Sequence, residues 1–166
     1  MDEKYFTQLA GEHSVASELH RRGVAAHLTA RNYKAADIMA FSENGNCCFV
    51  EVKTKNNKKG WPIKGISREN TVLVLVDLYD KAANERPGFY LLTVQDWIAF
   101  LEARLLEAEN SGNPTKLFRW GDDNIPHHFN ERGSGFKGKT LETEHAEQFM
   151  DEWGKIDDIL GIERIG

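Results

Sequence analysis

The chain has 166 residues and a formal net charge of −5, which allows one domain with a sizeable core. Forty per cent apolar and 28% charged residues exclude a disordered chain. No apolar run approaches the roughly 18 to 20 residues of a membrane helix, and the start, Met-Asp-Glu-Lys-Tyr-Phe, lacks the basic and apolar regions of a secretory signal. A cytoplasmic protein without membrane contact is the expectation. The two cysteines, Cys47 and Cys48, are adjacent and point to opposite faces of a predicted strand. They can build neither a disulfide framework nor a zinc site.

Leu9, Ala16 and Leu19 recur at helical spacing and predict a first helix from about Lys4 to Arg22, closed by Gly23. Glu12 shares that inner stripe, whereas Glu18 falls on the outer face with Ser14 and Arg22. A strand over Val24 to Thr29 leads into the polar turn Arg31-Asn32-Tyr33-Lys34. Two apolar runs, Ala35 to Phe41 and Cys47 to Val52, then flank Ser-Glu-Asn-Gly-Asn and read as a hairpin. From Lys53 to Arg68 the chain carries six basic residues and no acidic one. Asn56, Asn57, Gly60, Pro62 and Gly65 predict a loop there without regular structure.

The Val/Leu run Thr71 to Leu78 predicts a central strand covered on both faces, and Gly88 to Leu92 a further strand. Thr93 and Asp96 form a capping box for a helix to about Glu109, with Val94, Trp97, Ile98, Leu101 and Leu105 inward. Asn110 to Pro114 breaks the chain, dividing a core of residues 1–110 from an extension of residues 111–166 packed on it. Residues 115–140 read as irregular, with His127-His128 in a surface loop near Asn130. Thr143 to Leu160 predicts one amphipathic helix with Ala146, Phe149, Met150, Trp153 and Leu160 inward.

Chemistry gathers in the hairpin. Asp37 lies in its first strand; Glu51 and Lys53, two residues apart in the second, project from one side. Charges rising from apolar strands are costly unless paired or bound to an ion. A divalent cation held by hard carboxylate oxygens satisfies that requirement, and so does a structural Lys–carboxylate pair at a strand end.

Asp37, thirteen residues, then Glu51-Val52-Lys53 resembles the D…(D/E)-x-K signature of the PD-(D/E)XK nuclease superfamily, which includes restriction endonucleases and Holliday junction resolvases. The resemblance covers roughly residues 5–100, with Ala36 where the name-giving Pro often stands. It implies an α/β, restriction-endonuclease-like fold: a mixed central sheet flanked by helices, here with a C-terminal helical extension. It further implies Mg²⁺ (or Mn²⁺) held by Asp37, Glu51, the Val52 carbonyl and Glu12, with Lys53 acting on the water and the phosphate, and hydrolysis of DNA. A nucleic-acid-binding or scaffold module on the same fold remains the alternative, since fold does not fix chemistry.

The charge distribution suits a phosphate partner despite the acidic total. Residues 1–95 hold 13 Lys/Arg against 11 Asp/Glu, a balance of +2, and residues 96–166 hold 8 against 15, a balance of −7; local potential steers a phosphate backbone. Lys55, Lys58, Lys59, Lys64 and Arg68, with Arg31 and Lys34, are the expected backbone grip, and Trp61 reads as exposed among them. Such contacts carry no sequence information, so duplex, junction, single strand and RNA all stay open. Cutting both strands of a duplex needs two sites, which points to a homodimer.

Overall fold

A computed structural model of the chain describes residues 3–30, 36–66, 68–113, 116–128 and 137–164. Five strands, β1 (Ala25–Leu28), β2 (Ile38–Phe41), β3 (Cys47–Lys55), β5 (Thr71–Asp77) and β6 (Gly88–Leu92), form a mixed sheet in the order β1-β2-β3-β5-β6. β3 and β5 are parallel and the other pairs antiparallel. Helices α1 (Glu3–Arg21) and α2 (Val94–Asn110) flank this sheet, as the sequence pattern requires.

Side-chain alternation along the strands sorts two apolar clusters onto the two faces. Val72, Val74 and Val76 of β5 join Val15, Leu19, Ile38, Val50 and Val52 in one cluster. Leu73 and Leu75 join Trp97, Leu101 and Phe118 in the other. β5 is thus covered on both sides, which its unbroken Val/Leu run demands. On β3 only Cys48, Val50 and Val52 enter a cluster. The other face, with Cys47, Phe49, Glu51 and Lys53, is half-buried.

The local signals read from the sequence are realised at several joints. Gly45 takes φ +83° in the β2–β3 turn, where its N–H donates to the Ser42 carbonyl. The capping box is complete: Asp96 N donates to Thr93 Oγ1, and Thr93 N to Asp96 Oδ2.

Several expectations are corrected. Residues Trp61–Ile63 are not irregular but form β4, paired with β9 (Lys139–Leu141). Trp61 is 1% exposed, and its indole N–H reaches the Val76 carbonyl; pairing with a strand far along the chain overrides the loop composition. The stretch 115–140 likewise contains β7 (Phe118–Arg119) paired with β8 (His127–His128).

The C-terminal helix is interrupted. It divides into α3 (Thr143–Ala146), a 3-10 turn (Glu147–Phe149) and α4 (Gly154–Leu160). Between them Met150 bridges to Tyr90, and Asp151, at φ +53°, donates its N–H to the Phe89 carbonyl. The free edge of β6 takes backbone groups that a continuous helix would keep for itself, and it leaves Met150 43% exposed.

The inward face of α1 keeps Ala16 and Leu19 of the expected stripe, leaves Leu9 half-buried, and widens to Gly11, Val15 and Glu18. Glu18, expected outside, is 7% exposed and paired with Arg21, Arg22 and Arg86. Gly11 explains the widening, because a Cβ there would lie 1.8 Å from Thr54 Oγ1. The helix rests on β3 at its one residue without a side chain.

Candidate active site

The site follows from a difference in strand length. β2 begins at Ile38, opposite Val50, while β3 runs on to Lys55. From Glu51 onward β3 has no strand on its β2 side, so the backbone groups of Val52 need other partners. The Val52 N–H donates to Asp37 Oδ2 at 2.7 Å, and the Val52 carbonyl accepts from Gln8 Nε2 at 3.0 Å. Asp37 is set in place by its own backbone: its N–H donates to the Val50 carbonyl, and its carbonyl accepts from Thr29 N.

Glu51 and Lys53 rise from the β3 face opposite the one on which Thr54 meets Gly11. Burial pushes the Glu51 carboxyl above its ordinary value; Lys53 pulls it back, the Asp37 carboxylate raises it further, and Arg68 lowers it. Lys53, Asp37 and Arg68 are thus the charges that act on Glu51, and the Arg68 guanidinium lies 5.8 Å from the Phe49 ring centre on that same face. Helix α1 presents Glu12 on the other side. There a pocket of about 160 Å³ is lined by Tyr5, Gln8, Leu9, Glu12, Thr29, Ala30 and Asp37. Gln8 Nε2 also donates to Glu12 Oε1 at 3.0 Å.

Asp37, Glu51 and Lys53 are thus brought together, with the Val52 backbone between them. Glu12 shares a pocket with Asp37, yet among the described residues no group of three or more His, Cys, Asp and Glu side chains is placed to hold a metal. Helix α1 packs on the face of β3 opposite to that of Glu51, so Glu12 reaches this edge from the other side of the sheet. What remains suits a hard cation: carboxylate oxygens from Asp37 and Glu51 and a backbone carbonyl. Glu51, disfavoured as an anion by burial and by Asp37, has the most to gain from a positive charge.

Among the expected phosphate contacts, Lys58, Lys59, Lys64 and Arg68 are exposed; Arg31 and Lys34 lie outside the described residues. Lys55 is a correction. It is 6% exposed, with Nζ 3.1 Å from Asp77 Oδ2, 2.6 Å from Thr143 Oγ1 and 4.2 Å from the centre of the Trp61 ring. An ammonium closed in by three partners is unavailable to a nucleic-acid backbone. His127 and His128 are half-buried in β8 and belong to no metal-holding cluster among the described residues. Asn130 lies outside the described residues.

Sequence reasoning passed over Gln8. Its signal is its place one helical turn before Glu12, where side chains share a face.

No protein-family model matches the chain, and no curated protein matches it in sequence. Among solved structures, a bacterial homing endonuclease, I-Ssp6803I, shares the fold with a TM-score of 0.51. The likeness covers 96% of this chain and 95% of that one at 12% identity. No described helix is long and apolar enough to cross a membrane.

Proposed function

We propose that the chain is a Mg²⁺- or Mn²⁺-dependent endonuclease of the PD-(D/E)XK type that hydrolyses DNA phosphodiester bonds. The observation that carries this reading is the end of β3. There the Val52 backbone, without a strand on its β2 side, is flanked by Asp37 and by a Glu51 held above its ordinary pKa, with Lys53 on the face of Glu51. The fold shared with a homing endonuclease supports it.

Asp37, Glu51 and the Val52 carbonyl would hold the cation, which supplies Lewis-acid chemistry: it offsets phosphate charge and acidifies water. The protein's own groups do the rest. Lys53 donates hydrogen bonds to the phosphate as negative charge builds on it, a stabilisation that counts most in a partly desolvated site. Arg68, exposed beside Glu51 and Phe49, anchors a neighbouring phosphate. Glu12 acts on the site from α1 rather than as a third carboxylate of a cage. A duplex cut on both strands would engage two copies of the chain.

One observation favours the binding module instead: the Val52 carbonyl already accepts a hydrogen bond from Gln8. Supercoiled plasmid incubated with the protein in Mg²⁺, in Mn²⁺ and in EDTA separates the readings. Nicking or linearisation that EDTA abolishes is expected. DNA retention without cleavage in either cation would make the chain a binding module.

A further inference from the structure

The Gln8 amide nitrogen has two hydrogens and spends both on the site, one on Glu12 Oε1 and one on the Val52 carbonyl, each at 3.0 Å. The second contact joins positions 44 residues apart in the chain and ties α1 to β3. It meets β3 where β2 has ended and the carbonyl has no strand partner, three residues along the helix from the close approach of Gly11 to Thr54. A surface glutamine at this position would gain little from such an arrangement. Here it is a fork that links the carboxylate on one side of the edge to the carbonyl on the edge itself.

We infer that Gln8 is a positioning residue of the cation site, holding Glu12 and the Val52 carbonyl in the cation-free protein and releasing the carbonyl when a divalent cation binds. The inference rests on the proposed function, since it presumes that a cation is taken at this edge. The chemistry follows from what each group can offer. Val52 O and Glu12 Oε1 are acceptors, and a hard cation seeks such oxygens. The Gln8 N–H groups occupy them with the positive ends of two weak dipoles. A cation must therefore compete with the amide, and the stabilisation lost by breaking the fork reduces the apparent affinity. Glu12 is then coupled to the cation through Gln8, which accounts for its place in the pocket beside Asp37 without a direct bond to the ion.

The test compares wild type with Gln8→Met, which keeps the length and helix propensity of the side chain but cannot donate. Mn²⁺ binding is read by electron paramagnetic resonance and Mg²⁺ binding by calorimetry. Gln8→Met should bind either cation roughly tenfold more tightly, because the Val52 carbonyl is no longer occupied. Independently of any variant, the side-chain N–H₂ signals of Gln8 in wild type should shift on adding Mg²⁺, while those of the exposed Gln148 stay in place. Equal or weaker binding by Gln8→Met, or Gln8 signals unmoved at saturating Mg²⁺, overturns the role of Gln8 and leaves the cation site standing. No cation binding by wild type or variant overturns the site itself, and the inference with it.

Discussion

Lys53 and Lys55 leave the same face of β3 two residues apart, and they end in different surroundings. At Lys53 the strand has outrun β2, and the side chain stands half-buried beside Glu51. At Lys55 the C-terminal segment has closed over the strand and supplies Thr143, β4 supplies the Trp61 ring, and β5 supplies Asp77. Residue type, spacing and face are the same. The difference lies in what covers the strand: it ties Lys55 into the fold and leaves Lys53 open to the chemistry proposed for it.

The largest expected effect breaks that comparison on the structural side. Lys55→Met leaves Asp77, largely enclosed, without its partner, and removing one member of a buried pair costs about 3 to 5 kcal/mol. Urea unfolding should show a loss of that size. Lys53→Met, half-buried and only partly offsetting the buried Glu51, should lose less, about 1 kcal/mol. Similar losses for the two variants would mean that Lys53 also serves the fold.

On the chemical side the order reverses. Glu51→Gln and Lys53→Ala should each lower plasmid cleavage by about 10² to 10³, the scale for one preorganised stabilising group. DNA retention by filter binding should be nearly unchanged, and Lys55→Met should keep its turnover per folded molecule. Full activity in Lys53→Ala would remove Lys53 from the mechanism.

This pair also marks where sequence reading stops. The hairpin, the doubly covered β5, the capping box at Thr93 and the grouping of Asp37, Glu51 and Lys53 depend on neighbours along the chain or on strict alternation, and all were legible. The burial of Trp61 depends on β9 and that of Lys55 on Trp61 and on Thr143, 88 residues along the chain, and no local pattern announces such pairings. The same holds for α1. Its apolar residues fitted a stripe through Leu9, but Gly11 set the true face because close approach needs the absence of a side chain. Glu18 was turned inward to meet Arg86, a residue of a distant loop.

Gly11→Ala tests that close approach. Helix propensity alone would stabilise the variant by up to about 1 kcal/mol. The clash with Thr54 should outweigh this and give a net loss of about 1 to 3 kcal/mol, as overpacking does. Thr54→Ala in the same chain should recover part of it. A Gly11→Ala protein more stable than wild type would show that α1 can lift from β3 without cost, and that the edge holding Gln8 and Val52 is loosely built.

The exposed loop lysines sharpen the contrast with Lys55 more gently. Neutralising Lys58, Lys59 and Lys64 together should reduce the log–log salt dependence of DNA binding by about 2 to 3 units if all three meet phosphates. The residual slope would then belong to Arg68 and partners elsewhere. An unchanged slope would make the loop solvated surface.

The smallest effect concerns how far Lys53 neutralises Glu51, compared with the close pairing of Lys55 and Asp77. Burial is the main influence on Glu51 and raises its pKa; Lys53 only partly opposes it, and Asp37 adds to the rise. A carboxyl with a higher pKa folded than unfolded binds more protons in the native state between the two values. Stability of the cation-free protein should therefore fall as pH rises from the ordinary value of 4.5 through the raised one, and level off above it. Glu51→Gln has no such group. Its melting curve should separate from that of wild type across this window and run parallel above it, with the variant the more stable at neutral pH. Saturating Mg²⁺ should narrow the gap, since only wild type offers the ion a second carboxylate. Curves that stay parallel from pH 4 to pH 8 would show that Lys53 fully compensates the burial of Glu51, and the two lysines of β3 would then differ in exposure but not in role.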